Sequence, residues 1–329
     1  MEKFDWNAAL GSAVPAEWLL TKGEGVKIAV IDTGVDLTHP DLLHLKQKEH
    51  TFYPASTGFS ASRWRDFGNA GVPDLYNQPP DPPGHGTQCV SILAARPSSG
   101  DASVQGIAPN AEVYIIKTTN ASGLSNSVLQ CFLDALKVAT AIKPDIILAS
   151  LAIHKIGLAR ERIPAADADA IFKAVSDNNI LLFSSIKNAG PDARSFEIGT
   201  YYPSSQPESI NTVAMPDWLA AGLPNLEADA ELHFMVNSPS GMICKPGNRR
   251  HPLPQSFPNS YANYVVGGVA ALYLSFLKKI TTDRDLSLTK EGFLTAMHSR
   301  FSPLADALSA DKTKMGIFRN FNLNQPNHV

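Results

Sequence analysis

The sequence contains little cysteine and little net charge. Its three cysteines, Cys89, Cys131 and Cys244, are too few and too widely spaced for a disulfide framework or a zinc site. This usage predicts a reducing compartment, and we place the protein in the cytoplasm. The 28 basic and 31 acidic side chains give a formal net charge of −3. A nucleic-acid-binding protein would carry a basic excess or basic runs, so no nucleic-acid partner is expected.

Long hydrophobic segments are also missing. The N-terminal residues lack the charged region and apolar core of a secretory signal. The longest apolar run, 261–277, contains Asn263 and a glycine pair, and it is shorter than the roughly 20 residues that span a bilayer. We therefore expect a buried helix and no membrane partner. With 44% hydrophobic and 18% charged residues, the chain can bury the large core of a globular protein.

Short apolar runs rich in β-branched residues alternate with segments of helical periodicity. Strands are predicted at 26–31, 113–117, 145–150 and 180–185, and helices at 125–142 and 165–178. Continuously apolar strands separated by amphipathic helices are typical of a parallel sheet covered on both faces. The predicted fold class is therefore α/β, with a doubly wound, mostly parallel sheet flanked by helices. Functional residues in such folds lie at the carboxyl ends of strands, which is where Asp32 falls.

Residues 1–329 are predicted to form a single domain. Two proline-rich stretches interrupt the regular pattern, a long excursion at about 46–84 and an irregular segment at about 216–258. Neither stretch contains a clear domain boundary. Because loops of this length within a compact domain are usually functional or mobile, both are assigned to the surface of the same domain.

Three motifs place a carboxylate, an imidazole and a hydroxyl at junctions between apolar elements and turns. Asp-Thr-Gly at 32–34 ends an apolar run, Gly-His-Gly-Thr at 84–87 opens a helical segment, and Asn-Ser-Tyr-Ala at 259–262 opens the longest apolar run. A serine hydroxyl attacks well only when an imidazole takes its proton, and a carboxylate must fix that imidazole's tautomer. We predict Asp32, His85 and Ser260 as a catalytic triad. Taken alone, Asp32 also fits a turn residue and Ser260 also fits a helix N-cap.

With these motifs in the order Asp, His, Ser, the chain resembles the subtilisin-like serine proteases, the subtilase family, over roughly residues 10–325. Gly-Ile-Ala-Pro at 106–109 and Tyr-Pro-Ser at 202–204 are similar to further family segments. The resemblance implies that Asn188 and the Ser260 backbone N–H bind the oxyanion. It also implies that Ser150, Leu151 and Ala152 form the substrate-binding strand. The expected activity is a serine endopeptidase that cleaves protein or peptide substrates through an acyl-enzyme, with no required cofactor and no metal in the site.

The sequence departs from the family around the nucleophile and in the specificity pocket. Pro258 stands where the family has glycine and fixes φ near −65°. Tyr264 replaces the family's proline in the nucleophile helix. Ala152 and Ile153 replace two glycines that leave room for a substrate side chain, which predicts a narrowed pocket.

Three more features follow from the resemblance. Cys89, four residues after His85, is expected beneath the imidazole. Asp41 matches a position where some family members bind calcium. The resemblance therefore leaves calcium binding open as an alternative to a chain without metal. The family's pro-segment is not seen, and we expect an intracellular enzyme with a narrow substrate range.

Two other functions stay open at the level of sequence. In one, a substrate amine instead of water resolves the acyl-enzyme, which would make the protein a peptide transpeptidase or macrocyclase. In the other, the altered nucleophile motif marks a catalytically inactive pseudo-protease that acts as a binding module. The sequence gives no indication of oligomeric state.

Overall fold

Strands and helices alternate along most of the chain in the computed structural model. It describes residues 20–47, 51–52, 84–98, 104–117, 128–187, 198–214, 232–236, 242–252, 258–283, 286–298 and 316–317. The strands are β1 (Lys27–Asp32), β2 (Thr51–Phe52), β3 (Glu112–Lys117), β4 (Ile146–Ala149), β5 (Ile153–His154), β6 (Leu181–Ser185), β7 (Tyr201–Tyr202), β8 (Ser209–Ala214), β9 (Leu232–Val236), β10 (Met242–Lys245), β11 (Arg249–Pro252) and β12 (Gly316–Ile317). The α-helices are α1 (His85–Ala94), α2 (Val128–Ile142), α3 (Gly157–Glu161), α4 (Ala165–Asp177), α5 (Asn259–Thr281) and α6 (Lys290–His298), with 3-10 turns at Leu43–Gln47 and Ile198–Thr200.

Eight strands form one sheet in the order β12-β9-β8-β6-β4-β1-β3-β2, and every neighbouring pair is parallel. The four predicted strands are confirmed as β1, β3, β4 and β6, each within one residue of its predicted ends. The predicted α/β class with a mostly parallel sheet is confirmed as well.

The sheet is covered on both faces because its strand residues alternate between two cores. Ile28 and Val30 of β1 belong to a core that includes residues of α1, α5 and α6. Ala29 and Ile31 belong to a second core on the opposite face, with residues of α2 and α4. Strands buried on both sides explain why these segments are continuously apolar in the sequence.

Helix α5 is the central element of the first core. By length and composition it could cross a membrane, but 94% of its most apolar 18-residue window is buried inside the fold. The prediction of a buried core helix at 261–277 is confirmed, and the helix extends over 23 residues.

The segment at 216–258, predicted as irregular, contains three strands. β9 extends the main sheet, while β10 and β11 form an antiparallel hairpin. Residues 51–52 within the first excursion form β2 at the sheet edge, and most of that excursion lies outside the described residues. β2 has only two residues and β11 reads Arg-Arg-His-Pro, so neither contains the apolar run by which the other sheet strands were recognised.

The strand order places a topological switch point beside β1. From β1 the chain first adds β3 on one side and then β4 on the other, so the connections leave the sheet in opposite directions at this point. Ligands of open α/β sheets bind outside the carboxyl ends of the strands at such a switch point. Asp32 is the last residue of β1, and Ser150 directly follows β4.

Candidate active site

The structure brings Asp32 and His85 into direct contact. The imidazole Nδ1 donates a hydrogen bond of 2.8 Å to Asp32 Oδ1. The Asp32 side chain is fully buried, whereas that of His85 is 23% exposed. A carboxylate on Nδ1 fixes the tautomer in which Nε2 is the basic nitrogen, so this pair can act as an oriented base.

Two glycines and Thr33 permit this approach. Gly84 precedes α1 with a left-handed φ of 84°, which turns the chain into the helix at His85. A Cβ on Gly86 would lie 2.0 Å from the Gly34 carbonyl oxygen, so only glycine allows α1 to begin this close to the loop after β1. Thr33 links the two motifs, because its N–H donates to Asp32 Oδ1 and its Oγ1 accepts from the Gly86 N–H.

The surroundings of His85 favour its protonated form. Burial alone would lower the pKa of His85, but the adjacent Asp32 charge and hydrogen bond, together with Cys89, raise it well above its usual value. Cys89 Sγ lies 3.9 Å from Nδ1 and 3.8 Å from Nε2. These nearly equal distances agree with the predicted position of Cys89 against the imidazole ring.

Ser260 occupies the first turn of α5 and is buried, with 8% of its surface exposed. The cap residue is Pro258, with φ −68° and no side-chain cap bond, so Ser260 is the second residue of the helix and not its N-cap. The first N–H groups of a helix have no intrahelical acceptor and carry the positive end of its dipole. The Ser260 N–H therefore suits an oxyanion. Helix α5 packs on α1, where Tyr261 Oη and Gln88 Oε1 form a hydrogen bond.

Three polar side chains anchor this first turn to neighbouring strands. Asn259 accepts from the Ala214 N–H and donates to the carbonyl oxygens of Ile186 and Lys187. Asn263 donates to Ser150 Oγ at 3.1 Å, and the Ser150 hydroxyl lies 3.4 Å from the Ser260 carbonyl oxygen. These contacts fix Ser260 relative to the carboxyl ends of β4, β6 and β8.

Tyr264 reaches the carboxylate from the same helix. Its hydroxyl donates a 2.8 Å hydrogen bond to Asp32 Oδ2, and both residues are fully buried. Asp32 thus accepts from His85 and Thr33 on one oxygen and from Tyr264 on the other.

The remaining predicted site residues fall around this centre. Ser150 is buried, Leu151 is half-buried in the second core, and Ala152 is exposed. The oxyanion candidate Asn188 lies outside the described residues, directly after Lys187, whose carbonyl is held by Asn259.

Among the described residues, Asp41 does not have the surroundings of a calcium ligand. Its buried carboxylate accepts hydrogen bonds from the Ser98 N–H, the Ser98 hydroxyl, the Val104 N–H and two nitrogens of Arg250. Calcium requires six to eight oxygen ligands, whereas these partners are hydrogen-bond donors. Burial alone would raise the pKa of Asp41, but the bonds from Arg250, Ser98 and Val104 hold it well below its usual range.

His39 and Cys244 lie close enough to Asp41 to be considered with it as metal ligands. His39 Nδ1 accepts from the Asp41 N–H, so its Nε2 donates to the Arg249 carbonyl oxygen. Burial lowers the pKa of His39 and raises that of the Cys244 thiol. With both imidazole nitrogens and the carboxylate already bonded, this cluster does not fit a metal ion either.

Sequence reasoning missed Asn259, Asn263 and Tyr264 as residues of the site. The sequence feature that could have identified them is the presence of polar side chains in the first turns of an otherwise apolar helix. Sequence reasoning treated Asn263 as an interruption of the apolar run and Tyr264 as a lost proline. Only the tertiary structure shows that each bonds to a different strand end.

A buried carboxylate–imidazole pair at the switch point of a parallel sheet, beside a helix that carries serine in its first turn, is the arrangement expected of α/β proteins with an Asp-His-Ser site. Comparison with known proteins identifies the family within that class. A sequence profile described as "Subtilase family" matches residues 23–222, more than half of the chain. The chain belongs to the subtilase family. The match ends before Ser260, in agreement with the departures around that residue.

Individual relatives support this membership. The chain is 30% identical over 201 residues to "Intracellular serine protease" of Paenibacillus polymyxa, covering 61% of this chain and 53% of the relative. It is 29% identical over 190 residues to "Major intracellular serine protease" of Bacillus subtilis (strain 168), covering 57% and 50%. The chain thus spans about half the length of these two relatives. The solved "Structure of Prenylagaramide maturation protease PagA" shares the fold, with a TM-score of 0.61 and 20% identity over 94% of this chain and 95% of that one.

Proposed function

We propose that the protein is a serine endopeptidase that cleaves peptide bonds through an acyl-enzyme formed on Ser260. The observation that carries this proposal is the 2.8 Å contact between buried Asp32 and His85, next to the helix whose first turn bears Ser260. Family membership supports it. Each reacting position also keeps the chemistry that the reaction needs.

In the proposed reaction Ser260 Oγ attacks the scissile carbonyl carbon while His85 Nε2 takes the hydroxyl proton. The resulting oxyanion is held by the Ser260 N–H and, as a further part of the proposal, by the Asn188 side chain. His85 then returns the proton to the leaving amine, and the acyl-enzyme remains. Water attacks this ester with His85 again as base, which releases the acid and restores Ser260. Asp32 stabilises the imidazolium in both half-reactions.

Labelling with a fluorophosphonate probe tests this proposal, because such probes phosphonylate only an activated serine. We expect the folded wild-type chain to be labelled, and Ser260→Ala and His85→Ala to lose labelling completely. His251→Ala, which replaces a histidine of β11, should label like wild type. Circular dichroism verifies that each variant is folded.

Two outcomes of the labelling experiment would contradict the proposal. If folded wild-type protein is not labelled, the peptidase proposal is wrong and a non-catalytic recognition role of the cleft is favoured. Labelling that survives Ser260→Ala would assign the reactive serine to another position.

We propose that Ser150, Leu151 and Ala152 bind the substrate backbone and that the pocket beyond them admits a small side chain before the cut. Directly after Ala152, β5 pairs with β7, with Ile153 opposite Tyr202 and His154 opposite Tyr201. The two short strands, with His154 packed edge-on against Tyr201, occupy space next to the proposed substrate strand.

A peptide library measures this specificity. Small residues are expected before the cleaved bond. Ala152→Gly should raise cleavage after larger residues on the order of 10-fold, as for methylene-sized changes in a pocket. Efficient cleavage by the wild-type chain after bulky aromatic residues would contradict the narrowed pocket.

We further propose that the protein works in the cytoplasm on a narrow range of substrates. All three cysteines lie among the described residues, where they are buried and form no disulfide. The two relatives named above are both called intracellular. Recovery of the protein from a secreted fraction would contradict this assignment.

A second candidate is a peptidase that processes a precursor peptide, with a substrate amine resolving the acyl-enzyme. It is favoured by the fold that the chain shares with PagA, which is named a maturation protease. Product mass separates the two outcomes, because hydrolysis adds one water to the substrate whereas cyclisation or transpeptidation adds none.

A further inference from the structure

A tyrosine stands one helical turn after the nucleophile. Residues four positions apart lie on the same face of a helix, so Ser260 and Tyr264 face in one direction along α5. Ser260 is 8% exposed, whereas the fully buried Tyr264 reaches Asp32 at the end of β1. One rigid element therefore carries both the proposed nucleophile and a hydrogen-bond donor to the carboxylate.

The direction of this hydrogen bond is fixed by chemistry. A phenol is protonated at neutral pH, and a carboxylate is only an acceptor, so Tyr264 Oη donates to Asp32 Oδ2. Asp32 Oδ1 is already occupied by His85 Nδ1 and the Thr33 N–H. With both oxygens bonded, the carboxylate has a defined orientation, and His85, Thr33 and Tyr264 all share in balancing its negative charge.

We infer that Tyr264 is a positioning residue of the reaction, which holds the Asp32 carboxylate in line with His85 and limits how strongly that carboxylate attracts the imidazole proton. The inference rests on the proposed peptidase function for its catalytic meaning. The proton affinity of His85 can nevertheless be measured without any activity.

Loss of the Tyr264 hydroxyl is expected to raise the pKa of His85. Without the Tyr264 bond, more of the carboxylate charge acts on His85, which stabilises the imidazolium. His85 must be neutral to accept the serine proton, so the acid limb of the reaction moves to higher pH. A base with too high a pKa is unavailable at neutral pH, and the tyrosine opposes this loss.

Other titratable groups near His85 define the controls. Among the described residues these are Asp32 from β1, Cys89 from α1 itself, and Tyr261 together with Tyr264 from α5. Tyr261 is a matched control because it lies on the same helix, is also buried, and bonds through its hydroxyl to Gln88 instead of Asp32.

The test compares wild type, Tyr264→Phe and Tyr261→Phe in two measurements. The first is an NMR titration of the His85 imidazole in the Ser260→Ala background, which needs no activity. The second is the fluorophosphonate labelling rate as a function of pH. Tyr264→Phe should raise the His85 midpoint on the order of 0.5–1 unit. The acid limb of labelling should move by the same amount, which lowers the rate below the midpoint about 3- to 10-fold. Tyr261→Phe should match wild type in both.

A variant that preserves packing keeps the inference testable if Tyr264→Phe fails to fold. Replacing Tyr264 with 3-fluorotyrosine keeps the shape and makes the phenol a stronger donor, so the His85 midpoint should fall. An unchanged midpoint in the variant that folds, or equal shifts in Tyr264→Phe and Tyr261→Phe, would overturn the inference. Absence of wild-type labelling would instead overturn only the proposed function, because the NMR titration does not depend on catalytic activity.

Discussion

Asp32→Asn is expected to lower the fluorophosphonate labelling rate of the folded chain by about 10⁴-fold, the size of effect found when a triad aspartate is made an amide in a serine protease. The substitution keeps the shape of the side chain but gives it an amide group. A neutral amide cannot stabilise the imidazolium that forms when His85 takes the serine proton. An amide whose NH2 group faces His85 Nδ1 also places the imidazole proton on Nε2, and that nitrogen then cannot act as the base.

The pH dependence of the residual rate gives this prediction a second readout. The Asp32 charge is a main reason why the pKa of His85 is raised. Its removal should lower that pKa, so the acid limb of Asp32→Asn should move to lower pH, opposite to the shift expected for Tyr264→Phe. Asp177→Asn, which changes an exposed carboxylate in an ion pair with Lys173, should leave rate and pH profile unchanged. A loss below 10-fold for Asp32→Asn would show that Asp32 does not orient the base.

Arg250→Met should lower the free energy of unfolding by about 3 kcal/mol, the lower end of the cost of removing one partner of a buried ion pair. Asp41 is fully buried and Arg250 is 21% exposed, with Nε and Nη2 bonded to the two carboxylate oxygens at 2.7 and 2.9 Å. Methionine retains much of the apolar volume but leaves the carboxylate without its cation. Urea unfolding measures the difference.

The neighbouring Arg249→Met is the matched control. Arg249 is exposed and bonds through Nε to the Pro246 carbonyl, so its change should stay within about 0.5 kcal/mol of wild type. Because N–H and O–H donors surround Asp41, we propose that Arg250 is the resident cation there and that the chain does not use calcium at this position. Neither calcium nor a chelator should change wild-type stability, and calcium should not restore Arg250→Met. Restoration by calcium would contradict this proposal.

The destabilisation should also depend on pH. In the wild-type chain the pKa of Asp41 lies below its unfolded value, so its stabilising effect is present at neutral pH and is lost only in strong acid. Without Arg250 the buried carboxylate should have a higher pKa and become protonated sooner as the pH falls. The stability difference between wild type and Arg250→Met should therefore be largest at neutral pH and shrink on acidification. A difference that is constant with pH would mean that lost packing, not lost charge, causes it.

The parallel core of the fold could be predicted because its strands are buried on both faces. Strands β1, β3, β4 and β6 each contain a continuous apolar run of three or four residues between turns, a pattern that depends only on local sequence. β9, β10 and β11 were missed because what stabilises them is not local. The β10–β11 hairpin is held by contacts to distant residues, such as the Cys244 N–H with Ser91 Oγ and the Gly247 N–H with Asp36 Oδ2.

In the candidate site, too, the residues marked by local motifs could be predicted and the long-range contacts could not. Asp32 and His85 follow from motifs at the end of a strand and the start of a helix, and the structure places them in contact. The bond between Tyr264 and Asp32 joins residues 232 positions apart in the sequence, and that between Arg250 and Asp41 joins residues 209 apart. In a single sequence nothing identifies the bonding partner of a buried tyrosine or arginine. These two hydrogen bonds are therefore seen only in the three-dimensional structure.

The central position of α5 has a consequence for the order of events during synthesis. The ribosome releases β1, β4 and β6 long before the helix that covers one face of them, and Gly267 of that helix sits directly against Leu148 of β4. Until residue 281 has left the exit tunnel, the growing chain exposes the apolar side of its sheet and holds Asp32 without Tyr264 or Ser260. Unfinished chains therefore expose apolar surface of the kind that chaperones bind and lack the proposed nucleophile, and both conditions end when the same helix docks.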